Sequence, residues 1–178
     1  MIEGTTTVAG IQIPSADPVF LSVVAIHIPL GLCCVVSGAV AVLSTKVAGR
    51  HTTAGTIYYW ATAATFASAT LLSAMRWAED YHLFLLSALA FATVHLGRMA
   101  RRGRWRGWTR LHIASMGCSY VVLLTAFYVD NGKQLPLWRD LPVWTYWILP
   151  ALIGAPVIGW ALLRHPLVQQ THAAKRNV

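Results

Sequence analysis

Five long apolar windows, 19–44, 55–75, 81–100, 111–129 and 143–163, are separated by short polar connections. That pattern leaves little choice of fold. A helix needs roughly 20 mainly apolar residues to cross the hydrocarbon of a bilayer, and each window supplies about that many. With 56% of its residues hydrophobic and 11% charged, the chain is more apolar than a soluble domain of its length needs for one core. The expectation is an all-α, single-domain transmembrane bundle of five helices with the lipid bilayer as its solvent. The stretch before the first window carries Glu3 and Asp17 and no Lys or Arg. No basic n-region precedes the apolar run, so the first helix reads as an uncleaved anchor.

Trp and Tyr gather near the window ends (Tyr58, Tyr59, Trp60, Trp77, Tyr81, Trp105, Trp108, Tyr128, Trp138, Trp144 and Trp147), as expected for rings that prefer the headgroup level. Charge orients the bundle. Lys46 and Arg50 fall in the first connection, Arg98, Arg101, Arg102, Arg104, Arg106 and Arg110 around the third, and Arg164, Lys175 and Arg176 at the C-terminus. The acids Glu3, Asp17, Glu79, Asp80, Asp130 and Asp140 all fall on the opposite side, with Arg76, Lys133 and Arg139. The positive-inside rule then puts the N-terminus outside and the C-terminus in the cytoplasm, in a bacterial inner membrane. The net charge of +8 is accounted for by insertion, and no nucleic-acid partner is expected. Cys33, Cys34 and Cys118 lie inside apolar segments without C-x-x-C spacing, so neither a disulfide framework nor a cysteine zinc site is expected.

Small residues recur at Gly31, Cys34, Gly38 and Ala41 in the first window and at Ala61, Ala64, Ala67 and Ser68 in the second, ridges on which helices approach closely. Pro29, Pro150 and Pro156 fall inside windows one and five, where neighbours can satisfy the freed carbonyls. No internal repeat supports an inverted-repeat transporter. No nucleophile with a base and an orienting group can be assembled, and no soluble catalytic domain is expected.

No charged residue lies at the centre of a window, so histidines carry what chemistry there is. His95 and His112 lie at matched depth on consecutive antiparallel helices, with His51 slightly nearer the cytoplasm. Ala88 and Ala92 lie on the His95 side, and Ser115, Met116 and Ser119 continue the His112 face. A b-type haem held by two imidazoles suits this arrangement, with His95 and His112 as ligands and His51 as a third candidate. Two histidines bonded to serines and carbonyls, or a bound copper or zinc ion, suit it as well. His27, two residues before Pro29, is a further candidate pocket residue, against the plain reading of a helix-to-helix hydrogen bond. Asp130, Asn131 and Gly132 read as a turn first and an outer-mouth site second. Arg101, Arg102, Arg104 and Arg106, interleaved with Trp105, are candidate contacts for lipid headgroups or phosphate.

The run from His27 to Gly31, Ser37-Gly38-Ala39, Gly49-Arg50-His51 through Gly55, His112 to Met116 through Ser119-Tyr120, and Thr125 to Gly132 resembles a family of bacterial predicted membrane proteins catalogued as a domain of unknown function. The resemblance covers residues 19–132. It implies a membrane helical fold and places His27, His51 and His112 in the family pattern, whereas Thr52 stands where a second basic residue is expected. It implies no activity. Two functions remain open: a haem- or metal-binding redox protein using His95, His112 and His51, and a transport or channel subunit, or an accessory protein of a larger membrane complex, without a cofactor. Partner membrane proteins or a second copy of the chain are compatible with either.

Overall fold

The computed structural model describes residues 6–8, 11–13, 17–46, 49–165 and 168. Five long helices make up the body: α1 (Pro18–Leu43), α2 (Arg50–Met75), α3 (Trp77–Arg102), α4 (Trp108–Asn131) and α5 (Val143–Arg164). Ahead of them, β1 (Thr6–Val8) and β2 (Ile11–Ile13) pair antiparallel, Thr6 opposite Ile13, in a stretch where the sequence suggested no structure. Glu3, His172, Lys175 and Arg176 lie outside the described residues.

Each helix packs on its neighbour in sequence, and α1 also meets α4. α1 starts where Asp17 accepts hydrogen bonds from Val19 N at 2.7 Å and Phe20 N at 3.0 Å, with Pro18 in the first turn. It ends under Lys46, whose ammonium donates to the last carbonyls, those of Ala41, Val42 and Ser44. The sequence suggested a connection over 76–80; one residue, Arg76, makes the turn instead. Glu79 and Asp80 belong to the first turn of α3, where negative charge meets the positive end of the helix dipole. α2 likewise begins at Arg50 rather than Gly55. Gly49, with φ of 116°, supplies a turn that other residues rarely adopt, and its N–H donates to Thr52 Oγ1 at 3.0 Å.

Four of the five helices, α1, α3, α4 with its continuation to Gln134, and α5, are long and apolar enough to cross a membrane. α2 has the length but falls short in hydropathy, because it carries six Thr and two Ser among its 26 residues. Three of those polar residues turn inward. Thr62, Ser68 and Ser73 are buried on α2, as are Ser37 on α1 and Ser115, Ser119 and Thr125 on α4. Outward stand Leu32, Leu43, Leu85, Leu152, Trp160 and Leu163, all more than a third exposed. Such a polar, small-residue interior under an apolar exterior is the arrangement of a protein solvated by lipid, where helix association relies on close packing and interhelical hydrogen bonds.

The small-residue ridges take part unequally. Cys34, Gly38, Ala41, Ala61 and Ser68 are buried, while Ala67 is exposed and Gly31 has no neighbouring side chain within 4 Å of where a Cβ would stand. A Cβ on Gly38 would stand 2.5 Å from Tyr120 Cε2. That close approach lets the Tyr120 hydroxyl donate to Val35 O at 3.0 Å, tying α4 to α1.

Candidate functional site

Four histidines each bond across a helix-helix boundary through Nδ1. His27 meets Ser68 Oγ at 2.8 Å and His51 meets Ala41 O at 2.8 Å, securing α1 to α2 at both ends. His95 meets the Tyr59 hydroxyl at 3.0 Å between α2 and α3, and His112 meets Gly97 O at 2.9 Å between α3 and α4. A carbonyl oxygen only accepts, so Nδ1 carries the proton in His51 and His112. In each neutral ring, Nε2 is therefore left with its lone pair. Metal-bound imidazoles usually have this arrangement, the second nitrogen donating to a carbonyl that fixes the tautomer and the ring.

Between the histidines runs a chain of hydroxyl and thiol groups. Cys34 Sγ lies 3.5 Å from Thr65 Oγ1 and 3.7 Å from Thr62 Oγ1, and Thr62 donates to Tyr58 O at 2.7 Å. The Tyr58 hydroxyl lies 2.8 Å from Ser119 Oγ, which donates to Met116 O at 3.0 Å. Every proton is accommodated if Tyr58 donates to Ser119 and Ser119 passes its own to the carbonyl. Tyr58 and Ser119 are among the most deeply buried side chains, so this contact ties α2 to α4 where no bulk water can compete.

The histidines named from sequence divide into two places. His95 and Gly97 are two positions apart on α3, about 200° around the helix. His95 turns to Tyr59 and Phe91, with ring centroids 6.1 and 5.9 Å away. Gly97 turns to α4, where a Cβ would stand 3.2 Å from Met116 and Ser115, and takes the His112 bond. His95 and His112 thus occupy opposite flanks of α3, and one haem between them is not what this geometry offers. Depth along the helices does not decide this; angular position around α3 does. Ala92, expected to leave room for the macrocycle, is exposed.

His112 instead lies within electrostatic reach of His51, His165 and Arg101, and His51 within reach of Lys46 and Arg101. These groups come from α2, α3, α4, the end of α5 and the α1–α2 connection, and they meet at the end of the bundle that carries most of the basic residues. Sequence reasoning left His165 aside. Its buried Nδ1 has no hydrogen-bond partner among the described residues. Depth counting along α5, antiparallel to α4, puts it at the same end of the bundle as His112. Among the described residues, no three His, Cys, Asp or Glu converge tightly enough to hold a bare metal ion. Beside the cluster an open apolar groove runs between α4 and α5, lined by Arg110, Leu111, Ala114, Leu162 and Val168.

The remaining candidates are dispersed. Arg102, Arg104 and Arg106 are exposed in or beside the α3–α4 connection, where Arg104 adopts a positive φ of 47°, and Arg101 is exposed next to the cluster. Asp130 and Asn131 close α4, the Asn131 amide donating to Asp130 Oδ2 at 3.1 Å, and Gly132 packs under the Tyr146 ring.

Fold and composition together define a multi-pass membrane protein of helical-bundle type. No protein-family model matches the chain, and no curated protein or solved structure matches it either.

Proposed function

We propose that the chain crosses a bacterial inner membrane five times, N-terminus outside and C-terminus in the cytoplasm, and holds a redox cofactor, haem b, on His51 and His112 at the cytoplasmic end. α2 is taken as the fifth span because it accompanies α1 along its whole length: His27–Ser68 lies near one end, Cys34–Thr62 in the middle and His51–Ala41 at the other. A helix so paired with a spanning neighbour crosses with it. The orientation is supported by the concentration of Lys and Arg at the His51 end.

The observation that carries the cofactor is the pair of imidazoles, His51 and His112, each with Nδ1–H committed to a backbone carbonyl. A bare ion usually takes three or more protein ligands, whereas one or two histidines are enough to hold a haem, so a two-histidine set favours haem, which His51 and His112 would hold. Arg101, near both rings, supplies positive charge for the propionates. When bound, haem iron would supply a one-electron couple. The chain's own work would be to fix the tautomer, orient the rings and exclude water.

A second reading has its own support. The same four Nδ1 contacts tie successive helices together, as a cofactor-free transport subunit or accessory protein of a larger complex would require.

The test is an absorption spectrum of the detergent-purified protein, oxidised and then dithionite-reduced. A Soret band lost in His51→Ala and in His112→Ala, and kept in His95→Ala, is the expected result. A protein that stays colourless with excess haem and contains no iron, copper or zinc selects the accessory reading.

A further inference from the structure

The flank of α3 that carries His95 has no part in the proposed cofactor site, yet it holds a positioned cation. The Arg98 guanidinium lies 4.4 Å from the centroid of the Tyr59 ring, a cation–π contact. The Tyr59 hydroxyl is in turn bonded to His95 Nδ1 at 3.0 Å, and the Trp60 indole stands edge-on to the Tyr59 ring at 5.1 Å. His95 and Arg98 are three residues apart and so share one face of the helix. His95 and Trp60 are both exposed on the outer surface of the bundle. Arg98 lies one turn before the end of α3 at Arg102, about 6 Å along the helix from it, within reach of the headgroup level for a long side chain.

What is missing is a counter-charge. No carboxylate pairs with Arg98 among the described residues. Glu79, Asp80, Asp130 and Asp140 all stand at the opposite end of the helices, Asp17 before α1 does too, and the residues after α5 include no acid. An unpaired guanidinium held at a lipid-facing surface is costly unless an anion reaches it. The anions at that depth are lipid phosphates, which match the fork of guanidinium donors.

We infer that Arg98, seated on Tyr59 and flanked by His95 and Trp60, binds the phosphate of an anionic phospholipid in the leaflet facing the basic end of the bundle. The ring under the guanidinium fixes its direction, leaving its N–H donors for the phosphate. The exposed face of His95 adds a polar edge, and Trp60 offers its ring to the glycerol level. This site differs from the exposed arginines of the α3–α4 connection, on which no aromatic ring is seated among the described residues.

Thermal unfolding of the full chain in a zwitterionic detergent, titrated with phosphatidylglycerol, with phosphatidylcholine and with inorganic phosphate, tests the inference. Wild-type protein should be stabilised saturably by phosphatidylglycerol and by neither of the others. Arg98→Gln should weaken the apparent affinity about fivefold, the effect of one basic residue near an anionic surface, and clearly more than Arg104→Gln does. Arg98→Lys keeps the charge for folding but loses the fork, and should fall between wild type and Arg98→Gln. Equal stabilisation of wild type and both Arg98 variants, or equal stabilisation by inorganic phosphate, would overturn the site. Loss in Arg104→Gln equal to that in Arg98→Gln would overturn it too, in favour of a diffuse basic surface. None of these outcomes depends on haem.

Discussion

Gly31 and Gly38 stand two turns apart on α1 and look equivalent in the sequence, each part of one small-residue ridge. Their surroundings separate them: nothing lies within 4 Å of a Cβ at Gly31, and the Tyr120 ring lies 2.5 Å from one at Gly38. Gly38→Ala should therefore displace Tyr120, break its bond to Val35 O and lower stability by about 1–3 kcal/mol, the usual cost of overpacking. Gly31→Ala should be close to neutral. Thermal unfolding of the two purified variants checks this; equal losses would show that the close α1–α4 approach is not real. The histidines show the same limit of sequence reading. Their depth follows from counting residues along antiparallel helices, which puts His95 and His112 at one level and His51 slightly nearer the cytoplasm. Their direction follows from which neighbour each helix face meets, and that is decided by packing at Gly97 and Tyr59, which the spacing of His95 and His112 does not encode.

α2 is the element on which the sequence and the folded chain differ most usefully. Its apolar window was legible, its start was not: Arg50, His51, Thr52 and Thr53 read as a loop, but a glycine turn at Gly49 and packing against the end of α1 carry the helix through them. Its six Thr and two Ser leave it less apolar than the four helices apolar enough to span; of them Thr62, Thr65 and Ser68 meet α1 and Ser73 meets α3, while Thr53 and Thr56 stay exposed. Hydropathy measures a helix against lipid, whereas the inner face of α2 is solvated by protein. An isolated α2 segment offered to the translocon should insert in less than about half of chains, while isolated α1, of mean hydropathy 2.5, inserts almost fully. Glycosylation mapping of each segment in a carrier protein reads the fraction directly. Full insertion of α2 alone would mean that its neighbours contribute nothing to placing it.

Across the whole molecule, composition was enough to foresee an all-helical membrane bundle, because apolar windows of spanning length have few other uses. It was not enough to foresee the pairing of β1 with β2 or the one-residue turn at Arg76, which depend on local backbone geometry rather than on hydropathy. The segregation of charge along the bundle is legible at both levels: the basic end gathers His51, Arg101, His112 and His165, and the acids Asp80, Asp130 and Asp140 lie at the other. The proposed cofactor site and the proposed lipid contact both depend on that end facing the cytoplasm across five spans. Cysteine labelling tests it most directly, with Cys33, Cys34 and Cys118 replaced and single cysteines placed at the exposed positions Thr45, Glu79, Gly103 and Gln134. With a membrane-impermeant maleimide, Thr45→Cys and Gly103→Cys should react only in inverted vesicles, and Glu79→Cys and Gln134→Cys only in right-side-out ones. Glu79→Cys reacting on the same side as Thr45→Cys would show that α2 does not cross the membrane and contradict the account.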